Sequence, residues 1–262
     1  MPLKAVLMDN DGCIVPTGLG EMPEGFYKGA EELWETLGKL EERGILAGIC
    51  TGRDRNYVEH GAFWLGLRLG WCVIESGAAL FHPVTKELRL NPMLTPEVLE
   101  AFAGLRNEWV PDILKEFPEL FEYPGNQIQL TFERKHGVEV SIDSLYDRIK
   151  EMLGDLEDRR LVRVHHSNIA VDISPMGSDG TPLDKAWGVR FLGDVVGIPP
   201  AEMLGIGDSE GDFPMLTTVG FVGCPSNASQ QCKDLVEQRG GHVSSLRYSQ
   251  GVVDVIRHFL KT

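Results

Sequence analysis

The chain has 262 residues, 42% hydrophobic and 24% charged, enough for one large core or two smaller ones in a globular protein. Its net charge of −14 argues against a nucleic-acid backbone or an anionic membrane surface as main partner. It leaves room for a phosphorylated ligand, because a metal or a local cation cluster can invert the field inside one pocket. No apolar run spans a bilayer, and the N-terminal MPLKAVLMDND does not read as a signal peptide. The five cysteines (13, 50, 72, 224 and 232) form no C-x-x-C pair, so neither a zinc site nor a disulfide framework is expected, and a reducing cytoplasm is the expected compartment.

Ala5 to Met8 is a continuous apolar run, which predicts a strand buried on both faces. It ends in Asp9 and Asp11, two residues apart and so able to face one pocket, and Gly12 permits a sharp turn. A helix is expected from about Tyr27 to Arg43, with Leu33, Trp34, Leu37 and Leu40 on one face. Ile45 to Cys50 reads as a second strand, ending in Thr51-Gly52-Arg53-Asp54, with Asp54 as cap of a helix over Asn56 to Leu65. Trp71 to Ile74 reads as a third parallel strand, ending in Glu75-Ser76-Gly77.

Near His82 the rhythm changes. A hairpin is expected over Phe81 to Leu90, then a long helix over Thr95 to Phe117. Strands are expected at Ile128 to Phe132, Val138 to Ile142, Leu161 to His165 and Ala170 to Ile173, with a helix at Ser144 to Leu156. From Gly177 the first rhythm resumes: a helix over Asp184 to Val196, a strand over Met203 to Ile206 ending in Gly207-Asp208-Ser209-Glu210-Gly211-Asp212, a strand at Val219 to Val222, and helices near Ser226 to Glu237 and up to Leu260. The expected fold is therefore α/β: a Rossmann-like parallel sheet core, residues 1–82 and 177–262, interrupted by an inserted α+β cap, residues 83–176.

Asp9 and Asp11 can bind a hard cation, divide the roles of nucleophile and acid, or merely end a strand in solvent. In an open parallel sheet the strand ends share one edge, so Asp9, Asp11, Thr51, Lys185, Asp208 and Asp212 can meet there. Thr51 could equally cap a helix, and Lys185 could be a solvated residue of a helix's first turn, although the helix dipole disfavours a cation there.

Asp9-x-Asp11, the strand-ending Thr51, Lys185 and Gly207-Asp208-x-x-x-Asp212, in that order, resemble the motifs of the haloacid dehalogenase superfamily. The insertion between Thr51 and Lys185 is similar to that superfamily's C2 cap, of the α+β subtype found in sugar-phosphate phosphatases. Glu75-Ser76-Gly77-Ala78 also resembles a stretch of that subtype. The resemblance implies a Mg²⁺-dependent phosphatase of a small phosphorylated metabolite, a sugar phosphate or a phosphorylated organic acid. Asp9 would be the nucleophile forming an aspartyl-phosphate, and Asp11 the acid and then the base. It implies metal ligation by Asp9, the Asp11 backbone carbonyl and Asp208, with Asp212 a further ligand or a holder of the metal's waters. Thr51, Gly52 and Lys185 would address the phosphoryl oxygens.

Two positions depart from the family pattern: Cys13, where threonine or valine is usual, and Gly211, where asparagine is usual. Cys13 reads as a buried filler. Candidate substrate contacts are Arg53 and the segment Arg163, His166, Ser167, Asn168; Arg134-Lys135-His136 looks like an exposed hairpin tip. A phosphomutase of the same family, or a non-catalytic binding protein on this fold, are the other readings.

Overall fold

A computed structural model describes residues 2–16, 23–135, 137–138, 140–166 and 170–261. The elements run β1 (Ala5–Met8), α1 (Phe26–Glu42), β2 (Leu46–Ile49), α2 (Arg55–Trp64), β3 (Cys72–Ile74), β4 (Ala79–His82) and β5 (Glu87–Leu90). Then come α3 (Pro96–Gly104), α4 (Val110–Glu116), β6 (Leu120–Glu122), β7 (Leu130–Arg134), α5 (Ile142–Met152), α6 (Gly154–Asp158), β8 (Val162–His166) and β9 (Ala170–Pro175). The last are α7 (Lys185–Val196), β10 (Met203–Ile206), α8 (Phe213–Thr218), β11 (Phe221–Cys224), α9 (Gln230–Gln238), β12 (His242–Val243) and α10 (Tyr248–Leu260). They form two compact units, residues 1–89 with 184–262, and residues 90–183. The dividing points, after residues 89 and 183, fall a little beyond the expected 82 and 176.

The first unit is built on a parallel sheet of order β12-β11-β10-β1-β2. The unbroken apolar run of β1 follows from its place inside that sheet. Val6 and Met8 enter one core with Leu33, Leu37, Val252 and Ile256, while Ala5 and Leu7 enter another with Val189, Leu192, Met215 and Leu216. Each such fully buried aliphatic side chain contributes about 1.5–3 kcal/mol, so β1 has no face that tolerates a polar residue.

β3 differs from expectation. It pairs antiparallel with β4 (Ile74 opposite Ala79) and meets the parallel sheet at a single bridge, Cys50 to Val73. The cause is the turn that follows it: Glu75, Ser76 and Gly77 have φ of 46°, 53° and 99°, and this left-handed run reverses the chain into β4.

The second unit has an antiparallel sheet of order β6-β7-β9-β8. The helix expected over Thr95 to Phe117 is one helical path from Pro96 to Glu116, widened to a π segment at Leu105–Trp109, just before Pro111, which has no N–H to donate. The strand expected at Val138 to Ile142 is not formed among the described residues. Both edges of β7 are taken, by β6 and β9, and Ile142 instead opens α5 under a cap from Ser141, whose Oγ accepts from the Ser144 N–H. β6 and the two-residue β12 have no counterpart in the sequence reading. No helix among the described residues is long and apolar enough to cross a membrane.

Candidate active site

Register assembles the site. Met8 lies opposite both Ile49 and Ile206, so three parallel strands end level with one another. The residues that follow, Asp9, Cys50-Thr51 and Gly207-Asp208, therefore share the carboxyl edge of the sheet. Gly12, at φ 87°, turns the chain against Asp208: a Cβ there would fall 2.2 Å from Asp208 Oδ2. Asn227 fastens this turn, its Nδ2 donating to the Gly12 carbonyl at 2.7 Å and its Oδ1 accepting from the Tyr248 N–H at 2.9 Å. The Ser229 N–H donates to the Asp208 carbonyl at 2.7 Å.

Lys185 opens α7, where Asp184 caps the helix by accepting from the N–H groups of Ala186 and Trp187. Its Nζ donates to Asp9 Oδ1 at 2.7 Å and to Asp212 Oδ1 at 2.6 Å, and all three side chains are buried. The other Asp212 oxygen accepts from the N–H groups of Asp208 and Ser209, at 2.9 and 3.2 Å. Asp212 thus holds both the lysine and the loop carrying Asp208. α7 reaches this position because two glycines let it close on the turn after β3. A Cβ at Gly77 would lie 2.1 Å from the Asp184 carbonyl oxygen, and one at Gly188 would lie 2.3 Å from Val73 Cγ1.

Asp11 is paired with Arg53, whose Nε and Nη2 donate to its two carboxylate oxygens at 3.1 and 3.3 Å. The guanidinium also lies over the Tyr57 ring, and Asn10 Nδ2 donates to the Tyr57 hydroxyl at 3.3 Å. Burial, followed by the Asp11 charge, pushes the Tyr57 phenol up. Thr51 is buried, with Oγ1 accepting from the Arg53 N–H at 3.1 Å, and its carbonyl receives the Ser76 N–H. Gly52 sits beside Ser76, whose Oγ would be 3.2 Å from a Cβ at position 52.

Three carboxylates, Asp9, Asp208 and Asp212, crowd around one ammonium. Burial opposes the charge of Lys185, yet Asp212 and Asp9 outweigh it and hold the lysine well above its usual range. Burial and the neighbouring Asp212 charge push Asp9 well up, and the same two causes raise Asp208 to about 7. Asp208 Oδ1 is shielded from solvent and accepts no hydrogen bond from the described residues. An excess of buried negative charge around an oxygen with no donor fits a bound cation. Ligand atoms of Asp9, Cys13 and Asp208 lie within 4.8 Å of one another. The side chains of Asp11 and Asp212 are outside that group, turned to Arg53 and to Lys185.

In the second unit, Arg163 is exposed on β8 opposite Ser174, and His166 lies against the Tyr146 ring, 3.9 Å from Asp143. Ser167 and Asn168 lie outside the described residues, as does His136 of the hairpin-tip candidate. The sequence reading missed a buried polar face on this sheet. Thr131 Oγ1 donates to Asp172 Oδ1 at 2.7 Å, Gln129 Nε2 reaches the same oxygen at 3.2 Å, and His165 Nε2 is 2.8 Å from Ser174 Oγ. Burial lowers the His165 imidazole. The signal was present in the alternation of His165 with Arg163 and of Asp172 with Ser174, each pair two residues apart. Asn227 and Gly188 gave no such signal.

A parallel sheet with an acid-lined carboxyl edge, a buried lysine and an inserted α+β unit defines a C2-capped hydrolase architecture. The family profile of haloacid dehalogenase-like hydrolases matches residues 107–256. The chain is 31% identical over 232 residues to a phosphoglycolate phosphatase of Methanospirillum hungatei, covering 86% of each chain. It is 29% identical to one from Methanosarcina acetivorans, covering 98% of this chain and 96% of the relative. The fold matches a haloacid dehalogenase-like hydrolase of Bacteroides thetaiotaomicron with a TM-score of 0.70 at 17% identity, covering 98% of this chain and 99% of that one. It matches a sucrose-phosphatase of Synechocystis with a TM-score of 0.65 at 19% identity, covering 99% and 98%. The chain belongs to the haloacid dehalogenase-like hydrolase family.

Proposed function

We propose that this phosphatase uses Mg²⁺ and an aspartyl-phosphate on Asp9 to hydrolyse a short phosphorylated organic acid, with the phosphate ester of glycolate as first candidate. The observation that carries the reading is the shared lysine: Nζ lies 2.7 Å from Asp9 Oδ1, on the strand edge that also presents Thr51 and Asp208. The names of the relatives support the substrate class.

An Asp9 carboxylate oxygen attacks phosphorus, the ester P–O bond breaks, and the leaving oxygen takes a proton from Asp11. Asp11 then takes a proton from the water that attacks the phosphorus of the aspartyl-phosphate, and Asp9 is regenerated. Asp11 can do this only when Arg53 shares or releases its carboxylate. An anionic substrate drawing the guanidinium away supplies the occasion. Lys185, the Thr51 hydroxyl and the Gly52 N–H address the phosphoryl oxygens. Asp9, Asp208 and the Asp11 backbone would hold Mg²⁺, which keeps Asp9 ionised and offsets phosphate charge. Asp212 keeps Lys185 and the Asp208 loop in place.

The test is phosphate release from a panel of esters, glycolate and sugar phosphates among them, with and without Mg²⁺. The expected result is Mg²⁺-dependent release, fastest on the glycolate ester and lost in Asp9→Asn. Release from wild type no faster than from Asp9→Asn across the panel overturns the mechanism. A sugar phosphate preferred over the glycolate ester overturns the substrate class.

A further inference from the structure

Cys13 stands where the mechanism has no use for it. It is fully buried, and its thiol makes one long hydrogen bond, to the Ile206 carbonyl at 3.9 Å. Its Sγ nevertheless lies within 4.8 Å of ligand oxygens of both Asp9 and Asp208. One oxygen of Asp208, Oδ1, is shielded from water and accepts no hydrogen bond from the described residues. The three side chains are held in place: Asp9 by Lys185, Asp208 by the Gly12 turn and Asp212's grip on its loop, and Cys13 by the core of β1 and α10.

One sulfur and two carboxylate oxygens, with a fourth position left for water or phosphate, make the donor set of a four-coordinate thiophilic cation. A hard cation such as Mg²⁺ uses oxygens alone and leaves the thiol protonated. We propose that Asp9, Cys13 and Asp208 bind Zn²⁺ or Cd²⁺ through the Cys13 sulfur, so that thiophilic metals displace the hard ion and arrest the enzyme. On binding, the S–H bond breaks, the sulfur–metal bond forms, and the thiol proton leaves to solvent, together with any proton that the Asp9 and Asp208 carboxyls hold. The inference shares Asp9 and Asp208 with the proposed function, but its test needs no substrate, so either can fail alone.

The experiment is a Cd²⁺ titration of the full metal-free chain, read by the ultraviolet sulfur-to-cadmium charge-transfer band. Wild type should develop the band, saturating at one equivalent. Cys13→Ser and Cys13→Val, each keeping the other four cysteines, should not show it at that equivalent. Asp208→Asn, which keeps the thiol, should need excess Cd²⁺ to develop the band and so guards against a Cys13 variant that fails to fold. The same band at one equivalent in the Cys13 variants or in Asp208→Asn, or no band in wild type, overturns the proposal.

Discussion

At Asp208 the protein concentrates negative charge that only a cation or a proton can relieve. Burial and Asp212 raise its carboxyl from an ordinary value of 3.8 to about 7 in the metal-free chain. Between those values the folded chain binds a proton that the unfolded chain does not, so this group's contribution to stability is present below pH ~4 and lost as pH rises to ~7. Asn at this position mimics the neutral acid at every pH. In chelator, the melting temperature of wild type should therefore fall relative to that of Asp208→Asn as pH is raised across this window. Saturating Mg²⁺ at neutral pH should reverse the order, because the carboxylate then has its counter-ion and the amide does not. Thermal melts of both proteins at several pH values, with and without Mg²⁺, check this; parallel curves in chelator would show that Asp208 ionises in the folded chain as it does in the unfolded one.

The placing of Lys185 depends on how closely α7 can approach the turn after β3. Gly77 is at φ 99° with the Asp184 carbonyl where a Cβ would go, so Gly77→Ala meets both a backbone penalty and an overlap with a helix cap. We expect a loss of about 2–4 kcal/mol, together with a drop in kcat as Lys185 shifts away from Asp9. Gly38 gives the opposite case: it lies inside α1, and a Cβ added there would have nothing within 4 Å, so Gly38→Ala should stabilise by roughly 0.5–1 kcal/mol and leave kcat alone. Urea unfolding of the two variants beside wild type measures both. The strand ends carrying Asp9, Thr51 and Asp208, and the helix start carrying Lys185, were legible because each lies within a short local pattern: an apolar run ending in small polar residues, or a cap followed by a periodic helix. The level register of Met8, Ile49 and Ile206 was not, since pairing is a relation between distant segments. Asn227 was invisible for the same reason: its partner Gly12 is 215 positions away, and nothing around Asn227 marks it. The strand misread at Val138 to Ile142 shows the limit from the other side. β-branched residues there suit a strand, but the available edge of β7 belongs to Leu120–Glu122.

Across the whole molecule the site shares the negative charge of its surroundings. The chain carries a net charge of −14, while the proposed substrate, with a phosphate and a carboxylate, is itself strongly anionic. The cations available at the strand edge, Lys185 and Arg53, are already engaged by Asp9, Asp212 and Asp11, so no unpaired positive field among these residues reaches out to draw the substrate in. Encounter therefore takes place against long-range repulsion that salt can screen, with a Debye length falling from about 30 Å at 0.01 M to about 8 Å at 0.15 M ionic strength. At fixed saturating Mg²⁺, kcat/KM for the glycolate ester should rise as inert salt is added over this range, the reverse of the steered enzymes whose clefts attract their ligands. A phosphate ester of a neutral alcohol, carrying one charge fewer, should rise less steeply. Measuring both substrates in one salt series separates screening of the protein's field from any effect of salt on the metal, which would act on the two alike. A decline of kcat/KM with salt for both esters would mean that the local field at the strand edge outweighs the charge of the whole chain.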